Sequence, residues 1–359
     1  MQMRPESEAE LAGLVRDAAG PLVVRGGGTR GIGVAIGEVL ETGGMTGIDL
    51  YDPGALTIVA RAGTPLAQVE AALAAEGQRL PFEVPDMRGL LGRGGVSTIG
   101  GVVAANASGP RRVQAGACRD SLIGVRYVTG EGVVVKNGGR VMKNVTGYDL
   151  VKLLAGSYGT LGVLSEVSFK VLPVPESSAT LVLPGLDDAA AVAAMARALG
   201  SPYEVSGAAH WPGVATFLRV EGFAASVAYR TGKLREMLGG EVEPGADRWI
   251  EIRDVTPFHG VAGDVWRLSV KPSDAPGIVA RAGAEAVLYD WGGGLVWLRM
   301  APAVDLRARI APFAGHATLM RGGPGITVFQ PEPAPVAALT AGLRAKFDPR
   351  GILNPGLMG

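Results

Sequence analysis

The stretch Ser97-Thr98-Ile99-Gly100-Gly101-Val102-Val103-Ala104-Ala105-Asn106-Ala107-Ser108-Gly109 decides how this chain reads. It continues through Lys143-Asn144-Val145-Thr146-Gly147-Tyr148-Asp149 to Gly156-Ser157-Tyr158-Gly159-Thr160-Leu161-Gly162-Val163. Gly, Ala and Ser recur throughout, which is poor material for a packed apolar core. It suits backbone that approaches a flat, phosphate-bearing ligand, because glycine lacks a Cβ and reaches positive φ at little cost. Successive exposed N–H groups in such turns hold anions. A bound dinucleotide is the expectation, and a glycine-rich structural turn region is the alternative.

Toward the N-terminus lies a second glycine loop, Gly26-Gly27-Gly28-Thr29-Arg30-Gly31-Ile32-Gly33, after the strand-like Leu22-Val23-Val24-Arg25. Gly26, Gly28 and Gly31 satisfy G-x-G-x-x-G, and Asp49 follows at about the 20-residue distance of the Rossmann fingerprint. The flanking pattern opposes that reading. Ser7-Glu8-Ala9-Glu10 is a capping box that opens a helix over 8–19. Strands are expected over 46–50 and 56–61, around the turn Tyr51-Asp52-Pro53-Gly54. Thr64 then caps a helix with Pro65 at its first position, running to Ala75 and ended by Gly77. Strand, glycine loop, two strands and helix do not make a βαβ unit.

Downstream, 81–95 is irregular, 122–128 and 132–136 alternate as a hairpin, and 139–142 adds a strand. Asp149 caps a helix over 150–154 or, with Lys143, Asn144 and Tyr148, holds a cofactor edge. A strand runs through 166–172, and Pro173, Pro175 and Glu176-Ser177-Ser178 mark a linker. The expected domains are therefore 1–175 and 176–359. In the second, strands at 179–183, 214–221, 266–270, 286–289 and 295–300 alternate with helices at 187–199, 224–238 and 275–282. Gly200 is the expected C-cap of the first of these helices. That order suggests an α+β cap domain with an antiparallel sheet.

Bulk properties exclude several classes. At 359 residues the chain can bury a sizeable core. Its 34 basic and 34 acidic residues balance, which argues against a nucleic-acid partner. Cys118 is the only cysteine, so neither a disulfide framework nor a cysteine-held iron–sulfur cluster fits inside this chain. No uninterrupted apolar run reaches the roughly 20 residues of a transmembrane helix, and the start has no apolar signal core. The expected location is the cytoplasm, at most peripheral to the inner face of the plasma membrane through partners.

The motifs GGV-AANASGPRR, KN-TGYD and GS-GTLGV resemble the FAD-binding domain of the vanillyl-alcohol oxidase and p-cresol methylhydroxylase (PCMH-type) flavoproteins. More narrowly, the chain is similar to the FAD-binding subunits of bacterial glycolate oxidases, from Arg25 to Pro175 and in parts of the second half. Those parts are Trp249-Ile250-Glu251-Ile252-Arg253, Asp290-Trp291-Gly292-Gly293-Gly294, Gly315-His316-Ala317-Thr318 and the tail Lys346 to Gly356. The resemblance implies an α+β fold, a two-subdomain FAD-binding domain followed by the cap domain. It makes Gly26, Gly27, Gly28, Thr29 and Arg30 pyrophosphate contacts. It places Thr98, Gly100, Gly101, Asn106, Ser108 and Gly109 against flavin and pyrophosphate, and Gly147, Tyr148 and Gly159 in the same binding region. Val163 would meet adenine through its backbone, and Asn354 would return to the flavin with the tail. Asp120 has two readings, a loop near the ribose and phosphates or a turn cap. With no His in the first glycine loop, the FAD is expected to be non-covalent.

The resemblance also sets expectations for chemistry. Relatives that act alone carry two histidines in an H-x-G-D-G-N-x-H pattern that binds a divalent metal. Here His210, His259 and His316 are scattered, so no metal site is expected. His316 is the candidate base, with a purely structural role as the alternative. Arg253 or Arg321 is the candidate carboxylate partner, with surface solvation as the alternative. A cofactor cradle without that metal apparatus fits a subunit working beside a catalytic FAD subunit and an iron–sulfur subunit of a glycolate oxidase complex. A self-sufficient 2-hydroxy-acid dehydrogenase and a structural subunit with an idle cofactor are the alternatives.

Overall fold

Two antiparallel sheets carry the molecule, and alternation along their strands shows how each is buried. The computed structural model describes residues 3–139, 147–245 and 247–358. In the first lobe five strands run in the order Ile48–Asp52, Thr57–Arg61, Val163–Lys170, Leu122–Val128 and Val134–Gly138. The central strand is buried on both faces. Leu164, Val167 and Phe169 pack with Val69, Leu73, Ile99 and Val103 of the helices Leu66–Ala75 and Ile99–Ala104. Val163 and its cross-strand partner Val128 turn the other way, toward Leu11 and Val15 of helix Glu8–Asp17. Each such fully buried aliphatic side chain contributes about 1.5–3 kcal/mol.

Leu22–Arg25 and Glu38–Glu41 form a separate parallel pair. The chain between them, 26–37, contains no helix. That removes the Rossmann reading, which requires a helix directly after the glycine loop.

The second lobe is an eight-stranded sheet. Its order is Glu241–Pro244, Ser177–Leu183, Ala215–Gly222, Val205–Trp211, Ala286–Asp290, Leu295–Met300, Asp264–Val270, Gly315–Arg321. Leu218, Val220, Leu298 and Met300 face the helices Asp188–Leu199, Ala224–Leu238 and Ala275–Ala282. The alternate residues Phe217 and Trp297 face Trp249, Met87 and Leu90, so the first lobe closes the sheet's other side. The α+β expectation holds in both lobes.

Local details depart from the sequence reading for physical reasons. Thr64 does not cap its helix; its hydroxyl bonds both backbone groups of Gly47, and Pro65 takes the cap position. Gly200 is the C-cap of its helix as expected, with a right-handed φ of −80°. Strand Val205–Trp211 and helix Asp247–Asp254 had no signal in the sequence. Asp149 does cap Leu150–Leu154, accepting from the Lys152 N–H at 3.2 Å. Lys143, Asn144 and the strand expected from 140 onward lie outside the described residues.

A buried ionic cluster seals the two lobes. Arg219, 1% exposed in the second lobe, grips Glu83 of the first through two bonds of 2.7 and 3.1 Å. Arg111 of the first lobe grips Glu221 of the second through two bonds of 2.9 Å. Arg79 adds a 2.8 Å bond to Glu221, and the Arg111 N–H a 2.7 Å bond to Glu83. The three guanidiniums hold the Glu221 carboxyl well below the usual carboxylate range, overcoming the opposing effect of burial.

Candidate functional site

The site begins where two glycine segments interlock. A Cβ on Gly27 would lie 1.5 Å from the Val96 carbonyl oxygen, and one on Gly95 would lie 2.1 Å from the Gly27 carbonyl oxygen. Only bare backbone permits that approach. Gly28 instead takes a φ of +72°, and Gly31 has open space where a side chain would stand. These two leave the loop's peptide groups facing a cavity of about 350 Å³.

Gly26, Gly27, Gly28, Thr29, Arg30, Thr98, Gly101 and Asn354 all line that cavity, joined by Ala104, Tyr158 and Leu357. Thr98 caps the helix Ile99–Ala104, accepting from the Gly101 N–H at 3.3 Å. Arg30 reaches Ser97 Oγ at 2.5 Å and the Pro85 carbonyl at 2.8 Å, while its buried Nε has no partner among the described residues. Asn354 joins three segments. Its Oδ1 accepts from the Val24 N–H at 2.7 Å, its Nδ2 donates to the Tyr158 carbonyl at 2.6 Å, and its own N–H donates to Leu22. Gly100 and Gly159 line a small adjoining pocket of about 60 Å³.

Arg30, Ala105 and Tyr158 also line a second, larger cavity of about 610 Å³ between the lobes. Asn106 and Ser108 border it from the first lobe, and Arg267, Trp291 and His316 from the second. Partial desolvation at the cleft wall, then the Arg267 and Arg112 guanidiniums, push the imidazole pKa of the exposed His316 down. His316 is therefore neutral near pH 7. Asp290, just before Trp291 and 2% exposed, is pushed up to about 7 by burial, against the hydrogen bond from the Trp291 N–H.

Other predicted residues are not brought to these cavities. Gly109 lies in the seam, donating to the Glu83 carbonyl and accepting from Trp291 Nε1 at 3.0 Å. Asp120 is a turn cap whose carboxylate accepts from the Ala117 N–H at 2.8 Å. Val163 is buried within its strand, and Tyr148 is exposed beside Gly147 at the surface. Arg321 spends its guanidinium on the carbonyls of Leu90, Phe258, Val261 and Gly263. Arg253 is paired with Asp254 at 2.7 and 2.8 Å. Neither arginine lines the cleft. Conversely, Arg112, Arg267 and Trp291 line it, although none of the three was expected to be a site residue.

A family model described as an FAD binding domain matches residues 2–138. Over 342 residues the chain is 41% identical to the Escherichia coli (strain K12) protein "Glycolate oxidase subunit GlcE", covering 94% of this chain and 92% of that one. The chain belongs to the GlcE family of glycolate oxidase subunits. A more distant relative is Bacillus subtilis (strain 168) "Glycolate oxidase subunit GlcD", 34% identical over 45% of this chain and 34% of that protein. Among solved structures, an alkyldihydroxyacetonephosphate synthase aligns with a TM-score of 0.71 at 16% identity, covering 98% of this chain and 76% of that one. At that identity the likeness concerns the fold, which is of the PCMH type.

As a GlcE-family member with that domain, the chain is an FAD-linked oxidoreductase. The site's own features fit the cofactor. Adjoining cavities that share lining residues, with glycine peptide groups that no Cβ shields, suit a dinucleotide. Arg30 lines both cavities and brings a guanidinium charge to their junction. Among the described residues, no group of three or more His, Cys, Asp or Glu is placed to hold a metal ion.

Proposed function

We propose that this chain is the FAD-carrying subunit of a glycolate-oxidising assembly, which converts glycolate to glyoxylate and passes electrons to partner subunits. The observation that carries this reading is the 41% identity, maintained over 94% of the chain, to a glycolate oxidase subunit. The partners are a second flavoprotein, of the kind of the GlcD relative, and an iron–sulfur subunit. Cys118 is the only cysteine and is buried, so this chain offers no cysteine-held cluster, and the proposed electron acceptor is the iron–sulfur partner.

Bound FAD supplies the hydride acceptor. Residues 1–175 form the domain that holds it, with 176–359 as the cap. The peptide groups at Gly28 and Gly31 bind the pyrophosphate, Arg30 adds charge, and Asn354 fixes the strand edge on which they sit. The cofactor is held non-covalently: the loop 26–33 has no His or Cys, and the buried Cys118 lines neither cavity. His316, kept neutral by its surroundings, takes the hydroxyl proton. Among the described residues no helix is long and apolar enough to cross a membrane. A cytoplasmic location, at most peripheral at the inner membrane face, accords with a single unpaired cysteine.

The test is anaerobic addition of glycolate to the purified assembly and to the isolated chain, followed by visible absorption. Flavin bands that bleach in the assembly are expected. Bands that persist in a fully loaded assembly overturn glycolate as the substrate. Bleaching of the isolated chain assigns the oxidation to this chain itself.

A further inference from the structure

We propose that Arg112 and Arg267, one from each lobe, form the receptor for the substrate's carboxylate, so that this chain binds the hydroxy acid itself. The inference rests on the reading above that the substrate is a small 2-hydroxy acid. It extends the assignment of the hydroxyl proton to His316 of this chain, and departs from the expectation that the partner flavoprotein is the catalytic subunit.

The two guanidiniums share one aromatic ring. The carbon centre of Arg112 lies 4.3 Å from the centroid of Trp291, and that of Arg267 lies 5.2 Å from it. Trp291 is fixed at both ends, its N–H bonded to Asp290 and its indole Nε1 bonded to the Gly109 carbonyl across the seam. Stacking orients a guanidinium but leaves its N–H donors unused. Among the described residues, neither side chain makes a hydrogen bond or ion pair.

Unpartnered arginine is unusual in this protein. Arg111, Arg219, Arg253, Arg307 and Arg321 each spend their donors on carboxylates or carbonyls. The surroundings compound the imbalance. The cleft is lined by Arg30, Arg112, Arg119 and Arg267 against a single carboxylate, Glu332. Burial lowers the pKa of both Arg112 and Arg267, and the Arg112 charge lowers that of Arg267 further. Asp120 and Asp290 attract Arg112 and Arg267 from beyond contact distance. Two half-buried like charges with no carboxylate in ion-pair contact among the described residues remain costly, and a planar carboxylate offers each of them paired acceptors.

Placement favours substrate over cofactor. Both arginines line the cleft between the lobes, whereas the glycine loop lines the neighbouring cavity, so a pyrophosphate on that loop leaves them unengaged. His316 lies in the same cleft and within the field of both charges. A carboxylate held between the arginines puts the adjacent hydroxyl carbon within a short span of a neutral imidazole.

The probe is oxalate, a two-carbon dicarboxylate with no hydroxyl to oxidise, titrated calorimetrically into the FAD-loaded chain. Arg112→Gln and Arg267→Gln are each expected to weaken binding about 10- to 100-fold, the range for losing one charge-assisted contact. The Lys variants recover part of the loss, because charge returns without the two-pronged geometry. Flavin content and melting temperature report whether each variant is folded. Should a Gln variant misfold, oxalate-dependent tryptophan emission in the wild type, absent in Trp291→Phe, provides the second readout.

Equal oxalate affinity in wild type and both variants overturns the proposal, as does failure of oxalate and glycolate to bind the wild type. So does a flavin spectrum altered by the variants with anion affinity intact, which assigns the pair to the cofactor. Arginine-dependent binding of oxalate and D-lactate, without bleaching by glycolate, keeps this site and retires glycolate. Bleaching by glycolate at unchanged KM in both Gln variants does the reverse.

Discussion

Asp290 is a carboxylate held against its nature. Its pKa of about 7 arises because burial outweighs the Trp291 N–H and the attraction of Arg219 and Arg267, while Glu83 repels it. Between the ordinary aspartate value and about 7, the folded chain keeps a proton that the unfolded chain has released. Folding stability therefore falls as pH rises through that window, and the loss is complete above it. Asp290→Asn removes the titration and keeps the acceptor for Trp291. Urea melts at about pH 5 and about pH 8 will show the variant gaining on the wild type at the higher pH, by about 1.4 kcal/mol for each unit crossed. An equal difference at both pH values refutes this. Little of this residue's environment was readable beforehand. The run Asp290-Trp291-Gly292 stood out as a motif, but its meaning comes from Gly109 and Arg112, which belong to the other lobe. Asn354 was legible for the opposite reason, because the tail motif that contains it is local in sequence.

Elements were legible where a cap or a period marked them. Asp187 and Asp149 announced their helices, and alternation announced the strands at Leu122–Val128 and Leu295–Met300. Strand Val205–Trp211 was silent because its centre is Gly207-Ala208-Ala209. A side chain on Gly207 would stand 2.7 Å from the Trp249 ring, so the packing of one indole erased the apolar signal. Glu83 was equally silent, lying in the stretch 81–95 that has no period, and its partner Arg219 is 136 positions away. Glu83→Gln leaves Arg219 buried with a weakened partner and is expected to cost about 3–5 kcal/mol in chemical denaturation. Adding Arg219→Met, which restores apolar contact with Trp249, recovers part of that loss. A single substitution costing under about 1 kcal/mol would show that the cluster does not hold the lobes together.

For the whole molecule, the second lobe does not end the fold. After helix Ala334–Phe347 the chain returns to the first lobe, where Ile352 and Leu353 bury against Leu11 and Leu22 and Asn354 spans Val24 and Tyr158. Asp348 sets that return by accepting from the Leu353 N–H at 2.7 Å. Removing residues 348–359 is expected to leave both sheets folded, by circular dichroism, yet strip the flavin, by the absorbance ratio of flavin to protein. A truncated chain that keeps a full complement of FAD refutes the tail's role.

The Asn354 amide completes the cofactor cavity from 330 positions beyond Val24, and this bears on biosynthesis. While the ribosome is still translating the second lobe, the glycine loop has emerged but its supporting strand edge is unfinished. Flavin uptake is therefore expected to wait for synthesis of the tail, and interrupted products are expected to be colourless. On that expectation, yellow colour in this protein would report that translation had passed Asn354.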